Sequence, residues 1–374
     1  MTEKDPKFVT AGNGPLLRDV MEMMSKAPAA AGRPGPSRIA GRVTAAATRT
    51  ERWEHFRCRV GSFRDSYRVE PGLYAFGEPD EEADVLVSAN YKLSFDTLRS
   101  GLGGHDFWIL VLDTRGINVW CAAGKGTFGT RELVRRILET QLADVVKHRR
   151  LILPQLGAPG VNAREVRQRT GFKARFGPVR AADIPAYVKA GYRKTAAMST
   201  VRFGIRDRLV LTPMELNPAL KKYPWFAAAA LLLFGLGRPG IIFADAWSGG
   251  FPFLLLGLVA VLAGAFLTPV LLPYIPGRSF AVKGWLAGLA SMLAASFLPV
   301  VSVALGDRLL LAAAWLLFPA LSSYLALQFT GSTTFTGMSG VKKELKFAVP
   351  LYIAALAASI LLLIAFKLTG WGIL

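Results

Sequence analysis

Hydrophobic and polar positions follow two different patterns along the chain, and the change comes near Tyr223. Before it, short apolar runs alternate with charged segments; after it, long uncharged runs continue to the C-terminus. A helix that spans a bilayer needs about 20 predominantly apolar residues. The later runs therefore predict an all-α transmembrane domain over residues 223–374, preceded by a polar domain over residues 49–222. Its five predicted spans are residues 223–243, 251–275, 282–305, 309–330 and 347–369.

Inside the polar domain, the apolar runs switch between the spacing of a strand and that of a helix. Strands are predicted over residues 85–88, 108–113, 151–153, 173–176 and 208–211. Helices are predicted over residues 95–102, 131–146, 163–170 and 184–190. Alternating strands and helices with short connections indicate an α/β fold, a Rossmann-like doubly wound domain whose ligands bind beyond the carboxyl ends of the strands.

The N-terminal segments lack this rhythm. Residues 1–48 are rich in Ala, Gly, Pro and Met, and we expect them to be a disordered tail. They carry early charges and no early apolar core, so no signal peptide is expected. Residues 57–60, 67–69 and 73–76 alternate like short strands and predict a small sheet.

Charge sets the expected orientation of the two parts. The net charge is +19, and residues 223–374 hold only eight Lys and Arg and three Asp and Glu. Cations near the predicted spans gather on one side, which the positive-inside rule places in the cytoplasm. That side holds Lys221, Lys222, Arg278, Lys283, Lys342, Lys343 and Lys346, against Arg238, Arg308 and Lys367 on the other. We therefore expect a multi-pass protein of the cell inner membrane with its polar domain in the cytoplasm.

Several function classes fit the sequence poorly. The basic residues of the polar domain are scattered and accompany no nucleic-acid-binding motif, so no nucleic acid partner is expected. Residues 124–129 match G-x-G-x-x-G, but the glycines lie well beyond the strand, and residues 151–155 lack the ribose-binding acid of a dinucleotide fold. A Walker motif fails because Val119 stands where it needs glycine. The three histidines show no local signature that ties them to a cysteine.

Cys121 is the strongest candidate for a reactive or metal-binding residue. The chain has only two cysteines, Cys58 and Cys121, so a tetrathiolate zinc site or an iron–sulfur cluster cannot be built from it. An isolated cysteine is most often a buried small hydrophobe, which is how we interpret Cys58. Small residues follow Cys121 and would let a large planar cofactor approach the backbone. If Asn118 caps a short helix, that helix end and Lys125 would favour the thiolate.

The motif from Asn118 to Lys125 resembles the signature of the HgcA family, the membrane-bound corrinoid proteins of microbial mercury methylation. Residues 69–74, 88–96, 156–160 and 176–180 are also similar to the corrinoid domain of the corrinoid iron–sulfur protein large subunit. With the five predicted spans, the resemblance covers residues 50–374.

The resemblance implies a corrinoid-dependent methyltransferase in which Cys121 is the catalytic residue and the lower axial ligand of the corrinoid cobalt. The cap helix would lie against the corrin, with further backbone contacts beyond it. A methyl group from the folate-linked one-carbon pathway would pass to Hg(II), forming methylmercury. A ferredoxin-like protein with two 4Fe–4S clusters, HgcB, would reduce the cobalt again. The expected cofactor-binding residues are Asn118, Val119, Trp120, Cys121, Ala122, Ala123, Gly124, Lys125, Thr127, Gly157, Ala158 and Gly160.

Two other functions remain open at this point. One is a corrinoid methyl carrier of acetyl-CoA or one-carbon metabolism, for which mercury is only an adventitious acceptor. The other is a membrane sensor with a degenerate α/β domain, which would not hold cobalt.

Overall fold

A mixed six-stranded sheet forms the centre of the N-terminal part of the protein. The computed structural model describes residues 39–333 and 335–374. The strands lie in the order β1-β2-β4-β3-β5-β6; β2 runs antiparallel to β4, and every other neighbouring pair is parallel. Their bounds are β1 Ile39–Val43, β2 Gly72–Phe76, β3 Val85–Ala89, β4 Phe107–Leu112, β5 Arg150–Leu153 and β6 Lys173–Phe176.

Helices cover both faces of this sheet. Their bounds are α1 Arg49–Val60, α2 Lys92–Gly101, α3 Val119–Lys125, α4 Thr130–Glu139, α5 Leu142–Val145, α6 Ala163–Thr170, α7 Ile184–Lys189 and α8 Ala196–Ser199. Alternate residues of each strand point to opposite faces: Val85 and Val87 pack in the core under α4 and α6, whereas Leu86 packs in the core under α2 and α7. The helices on both sides confirm the predicted layered α/β fold.

The connections reverse direction at β3. From β3 the chain passes through α2 to β4 on one side, and from β4 it returns through α4 to β5 on the other side of β3. Ligands of open α/β sheets bind at such a switch point, beyond the carboxyl ends of the strands. The topology thus predicts a ligand site at the segments that follow β3, β4 and β5.

Three predictions about local structure were wrong. Residues 57–60 are helical because Thr48 and Glu51 form a reciprocal capping box that starts α1. Residues 208–211 lie inside a long helix, α9. The helix starts at Gly204, whose N–H donates to the Asp207 carboxylate (2.8 Å), and it continues through three prolines. The predicted helix 131–146 is broken at Gln141, whose φ is 47°.

The predicted tail is also shorter than expected. Residues 1–38 lie outside the described residues, but Ile39–Val43, which we placed in the tail, form β1 and pair with β2. Parallel pairing with β2 completes the edge of the sheet, and this long-range contact has no signal in the local composition.

The C-terminal part is helical. Its helices are α9 Ile205–Gly235, α10 Phe243–Leu262, α11 Phe280–Ser296, α12 Pro299–Ala304, α13 Arg308–Gln328 and α14 Met338–Gly370. A π-helical turn, Ala263–Leu267, and a last turn, Thr268–Val270, extend α10. α9 crosses residue 222, where we had placed the boundary between the two domains.

Three helical segments in the described part of the chain are long and apolar enough to cross a membrane: Phe243–Val270, Arg308–Ser332 and Ser339–Gly370. They overlap three of the five predicted spans. The predicted span 282–305 is divided into α11 and α12. The predicted span 223–243 contains the end of α9 and a short hairpin in which Leu236–Gly237 pairs with Gly240–Ile241. Lys367 donates hydrogen bonds to the carbonyl oxygens of Phe234 (2.7 Å) and Leu236 (3.0 Å) there.

An ion-pair cluster ties α1 to the sheet domain. The buried Asp96 of α2 accepts hydrogen bonds from Lys92 and Arg99 (both 2.8 Å) and lies 2.7 Å from His55 of α1. Glu51 of α1 pairs with the same Lys92 (2.8 Å) and Arg99 (2.6 Å). Burial raises the pKa of Glu51, but hydrogen bonds from Lys92, the Thr48 backbone and Arg99 outweigh it and lower the pKa to about 2. The cluster is therefore built to hold Glu51 ionised.

We predict that the stability lost in Glu51→Gln depends on pH. Because folding lowers the pKa of Glu51 from 4.5 to about 2, the carboxylate contributes its full stabilisation above about pH 5 and loses it as the pH falls towards 2. Melting of the detergent-solubilised chain, followed by tryptophan fluorescence, should show a lower melting temperature for Glu51→Gln at pH 7. The difference from wild type should vanish near pH 2. Glu82→Gln, at an exposed carboxylate, should stay close to wild type throughout; a difference for Glu51→Gln that is constant with pH would contradict the role of the ionised form.

Candidate functional site

Two clefts flank α3 at the carboxyl edge of the sheet. The first has a volume of about 390 Å³ and lies at the switch point, between the ends of β3 and β5 and the start of α2. Asn118, Val119 and Trp120 form its α3 side, and its walls are mostly apolar. Hydroxyl groups of Ser88, Ser94 and Thr97 bring its few polar atoms.

The second cleft, of about 590 Å³, lies on the other side of α3, between the sheet domain and α9. Cys121 lines it, together with four cationic side chains and no carboxylate. The cations are Arg64, Arg115, Lys125 and Lys221. The concentration of positive charge around Cys121 suits an anionic group.

The end of β3 holds the loop that carries α3. The Asn90 side-chain oxygen accepts hydrogen bonds from the Thr114 N–H (3.0 Å), the Thr114 hydroxyl (2.9 Å) and the Gly116 N–H (2.9 Å). Both Asn90 and Thr114 are buried, and Arg115, between Thr114 and Gly116, adopts a left-handed φ of 59°. Sequence reasoning missed Asn90 and Thr114 as positioning residues, although Asn90 belongs to a segment that carried the resemblance.

The start of α3 agrees with its sequence. Asn118 is the N-cap, and its side-chain oxygen accepts the N–H of Cys121 at 2.9 Å. Gly126, at φ 80°, ends the helix in the left-handed conformation that glycine favours. The cap that we predicted at Asn118 is thus present, and it fixes the backbone of Cys121.

The underside of α3 packs tightly on the turn that follows β5. Ala122 and Ala123 are buried against Phe128. A Cβ on Gly160 would lie 2.1 Å from the Phe128 carbonyl oxygen and 3.1 Å from the Ala123 Cα, and one on Gly157 would lie 2.5 Å from the Phe128 ring. These two glycines allow α3 to sit directly on the turn.

A loop of the helical part reaches the thiol. The Cys121 Sγ lies 3.9 Å from the Gly331 carbonyl oxygen. Next to it, the Ser332 hydroxyl donates to Glu215 of α9 at 2.9 Å. Burial raises the pKa of Glu215, although the Ser332 hydrogen bond and Arg64 act in the opposite direction. The wall opposite Cys121 therefore comes from the part of the chain that follows the sheet domain.

The predicted site residues divide into three groups. Asn118, Val119 and Trp120 face the first cleft, whereas Cys121 and Lys125 face the second, which Asn118 also borders. Gly124 is exposed at the end of α3, and the Thr127 hydroxyl lies 3.5 Å from the Ala122 carbonyl oxygen. The other five also line neither cleft: Ala122, Ala123, Gly157 and Gly160 form the packed underside, and Ala158 is half-buried in the same turn as the glycines.

The histidines lie elsewhere. Neither cleft is lined by His55, His105 or His148 in the described residues. His55 pairs with Asp96, and His148 lies 2.9 Å from the Ala83 carbonyl oxygen. Cys121 thus has no imidazole partner for nucleophilic catalysis among the cleft residues.

Comparison with known families identifies the class of this domain. Residues 61–188 match the profile of CdhD, the CO dehydrogenase/acetyl-CoA synthase delta subunit. This stretch contains α3, both glycines beneath it and the whole first cleft. The part of the chain that carries the candidate site is therefore similar to a family of corrinoid proteins.

Individual relatives agree with that class. The gamma subunit of the acetyl-CoA decarbonylase/synthase complex of Methanopyrus kandleri is 34% identical over 129 residues, which are 34% of this chain and 27% of that protein. The same subunit of Archaeoglobus fulgidus is 32% identical over 131 residues, with coverages of 34% and 27%. That of Methanothermobacter thermautotrophicus is 31% identical over 147 residues, with coverages of 37% and 32%. The chain thus spans only about a quarter to a third of the length of these relatives.

We predict that Gly160→Ala displaces α3. The added methyl group would collide with backbone atoms of Phe128 and Ala123, so the melting temperature should fall, in line with about 1–3 kcal/mol for overpacking. Gly124→Ala is the matched control, because a Cβ there meets nothing within 4 Å and alanine favours a helix more than glycine does. Equal stability of the two variants would show that the turn yields and does not hold α3.

Proposed function

We propose that this chain binds a corrinoid around α3 and carries a methyl group on its cobalt. The observation that carries the proposal is the position of Cys121. Its thiol stands on a capped helix at the carboxyl edge of the sheet, inside a segment similar to corrinoid proteins, and it faces a cleft of about 590 Å³. A thiolate is a soft ligand that suits a transition metal.

The chemistry of the two clefts fits such a cofactor. The corrin ring would lie in the second cleft, which Cys121 faces, and the hydroxyl groups and the Asn118 amide of the first cleft would bind amide groups at the edge of the ring. Many corrinoids also carry a nucleotide tail with a phosphate, and the cations Arg64, Arg115, Lys125 and Lys221 suit that charge. A bound corrinoid would supply a cobalt that accepts and releases methyl groups, while the protein tunes it through ligand, enclosure and charge.

The residues of this chain have separate roles in the proposal. Cys121 would hold the cofactor metal through its sulfur, and the Asn118 cap fixes the backbone that carries it. Lys125 and Arg115 bring positive charge to the same cleft. The Gly331 carbonyl oxygen lies close to the thiol, 3.9 Å from the Cys121 Sγ.

For the methyl acceptor, we propose Hg(II). The support is the single cysteine within the motif from Asn118 to Lys125, together with the helical part, which lies outside the segment matched by the acetyl-CoA relatives. The proposal includes a methyl donor from the folate-linked one-carbon pathway and HgcB, a ferredoxin-like protein, as the electron donor. It places the five-span protein in the inner membrane, with the sheet domain in the cytoplasm.

A methyl carrier of one-carbon metabolism is the second candidate, and the comparisons favour it more directly. Every relative described above is a subunit of an acetyl-CoA decarbonylase/synthase complex. In this case the same site would hold the same cofactor, and only the acceptor of the methyl group would differ.

We predict that Cys121→Ala retains the fold and changes the cofactor. Anaerobically purified protein should show a shifted Co(III) absorption spectrum and should lose methyl transfer, because the sulfur ligand is absent while the clefts remain. Cys121→His should ligate the metal but transfer methyl groups much more slowly, since imidazole donates less electron density than thiolate. The matched control is Cys58→Ser. Its hydroxyl group would replace the Cys58 thiol, whose Sγ lies 2.9 Å from the Tyr91 hydroxyl oxygen. An unchanged spectrum and normal transfer in Cys121→Ala would rule out ligation by sulfur.

A second experiment separates the two acceptors. Membranes that contain the methylated protein are incubated with Hg(II) or without it, and loss of the isotopically labelled methyl group from the protein is followed. The mercury proposal expects labelled methylmercury to form at a rate that Cys121→Ala abolishes. If Hg(II) receives no methyl group while a crude acetyl-CoA synthase preparation does, the carrier function is correct and the mercury proposal is wrong.

A further inference from the structure

The outward face of α1 carries an unusual set of side chains. Arg49, Arg52, Trp53 and Phe56 are spaced i, i+3, i+4 and i+7, which places them on one stripe of the helix; we call these four residues the α1 stripe. All four are exposed, Trp53 by 60% and Phe56 by 54%. The two rings stack with their centroids 5.4 Å apart. Adjacent large aromatic side chains this exposed point to an interaction surface.

The opposite face of α1 leaves the helix no freedom to turn the α1 stripe inward. Glu51 pairs with Lys92 and Arg99, His55 contacts Asp96, and the Cys58 Sγ lies 2.9 Å from the Tyr91 hydroxyl. These residues lie on the face away from the α1 stripe and bind α2 and its N-cap. The sheet domain therefore presents Trp53 and Phe56 outward in a fixed orientation.

The end of α1 lies beside α9, shortly before α9 becomes apolar. Val60, at the end of α1, lines the same cleft as Lys221 of α9. Phe56 precedes Val60 by one helical turn, about 6 Å. Trp225, which is 79% exposed, follows Lys221 by a similar rise. Lysines followed by aromatic residues at the start of an apolar run are typical of a membrane interface.

We propose that the α1 stripe rests on the anionic lipid surface of the membrane that the helical part spans. Arg49 and Arg52 would contact lipid phosphates, and the stacked rings would enter the boundary between head groups and acyl chains. The occupant is assigned from the charge of the stripe and from its continuity with the interface residues of α9. Docking would hold the sheet domain close to the membrane, with the Cys121 cleft facing the loop at Gly331. This inference rests on the proposed membrane location and is independent of corrinoid binding.

The full-length chain in lipid nanodiscs provides the test. A nitroxide is attached at Phe56→Cys in a Cys121→Ser background, and its collisions with oxygen and with a water-soluble nickel chelate are measured by electron paramagnetic resonance. Lys173→Cys, exposed on β6 at the opposite edge of the sheet, is the solvent control. Ile360→Cys on α14 is the lipid control. In discs with phosphatidylglycerol, position 56 should be several-fold less accessible to nickel than position 173, while remaining accessible to oxygen.

A second set of measurements tests the electrostatic contact between the α1 stripe and anionic lipid. Combining Arg49→Gln with Arg52→Gln, using discs of phosphatidylcholine alone, or raising the salt concentration should each increase nickel accessibility at position 56. If position 56 matches position 173 in anionic discs, the stripe faces water and the inference is wrong. Protection from both nickel and oxygen would assign the stripe to a protein partner, a second copy or residues 1–38, and would also overturn it. Nickel access at position 360 would instead contradict the membrane location itself.

Discussion

The close packing of α3 on the turn after β5 is the constraint on which the rest of the site depends. Gly160 lies so near the Phe128 carbonyl oxygen and Ala123 that no side chain fits between them. With one face of α3 occupied in this way, its remaining positions must face the two clefts. Asn118 to Trp120 therefore border the first, apolar cleft at the switch point, and Cys121 faces the second, basic cleft. The close packing of Gly157, Gly160 and Ala123 thus decides the direction in which the Cys121 thiol points.

The sheet domain and the helical part share this site. α9 begins beside the sheet domain, lines the basic cleft with Met214 and Lys221, and continues into the apolar part of the chain. Arg64 lies 2.8 Å from the Met214 Sδ, and Gly331 approaches Cys121 from the opposite side. A cofactor in the basic cleft would therefore contact a soluble fold and a helical bundle at once. This arrangement gives a physical reason for joining the sheet domain to membrane-length helices in one chain.

The features that the sequence predicted well depend on local chemistry. Strands β3, β4 and β5 are short, strongly apolar runs, and the cap at Asn118 needs only a side-chain oxygen three residues before an amide. The failures also have local causes. The alternation of residues 57–60 outweighed the capping box at Thr48 and Glu51, and the short apolar run 208–211, predicted as a strand, belongs to a helix of 31 residues. In both places a specific hydrogen bond at the helix start decided against the average pattern.

By itself, the sequence determined the α/β class of the first domain, the apolar character of the second, and the identity of Cys121 as the residue to test. These properties follow from periodicity, composition and a motif of eight residues. Only the tertiary structure decided which neighbours Cys121 has. Arg64, Arg115, Lys221 and Gly331 come from four distant segments, and their meeting depends on strand order, on the path of α9 and on the packing of α3. The roles of Gly157 and Gly160 were decided in the same way, because a glycine reveals the close approach it permits only when the opposing backbone is in place.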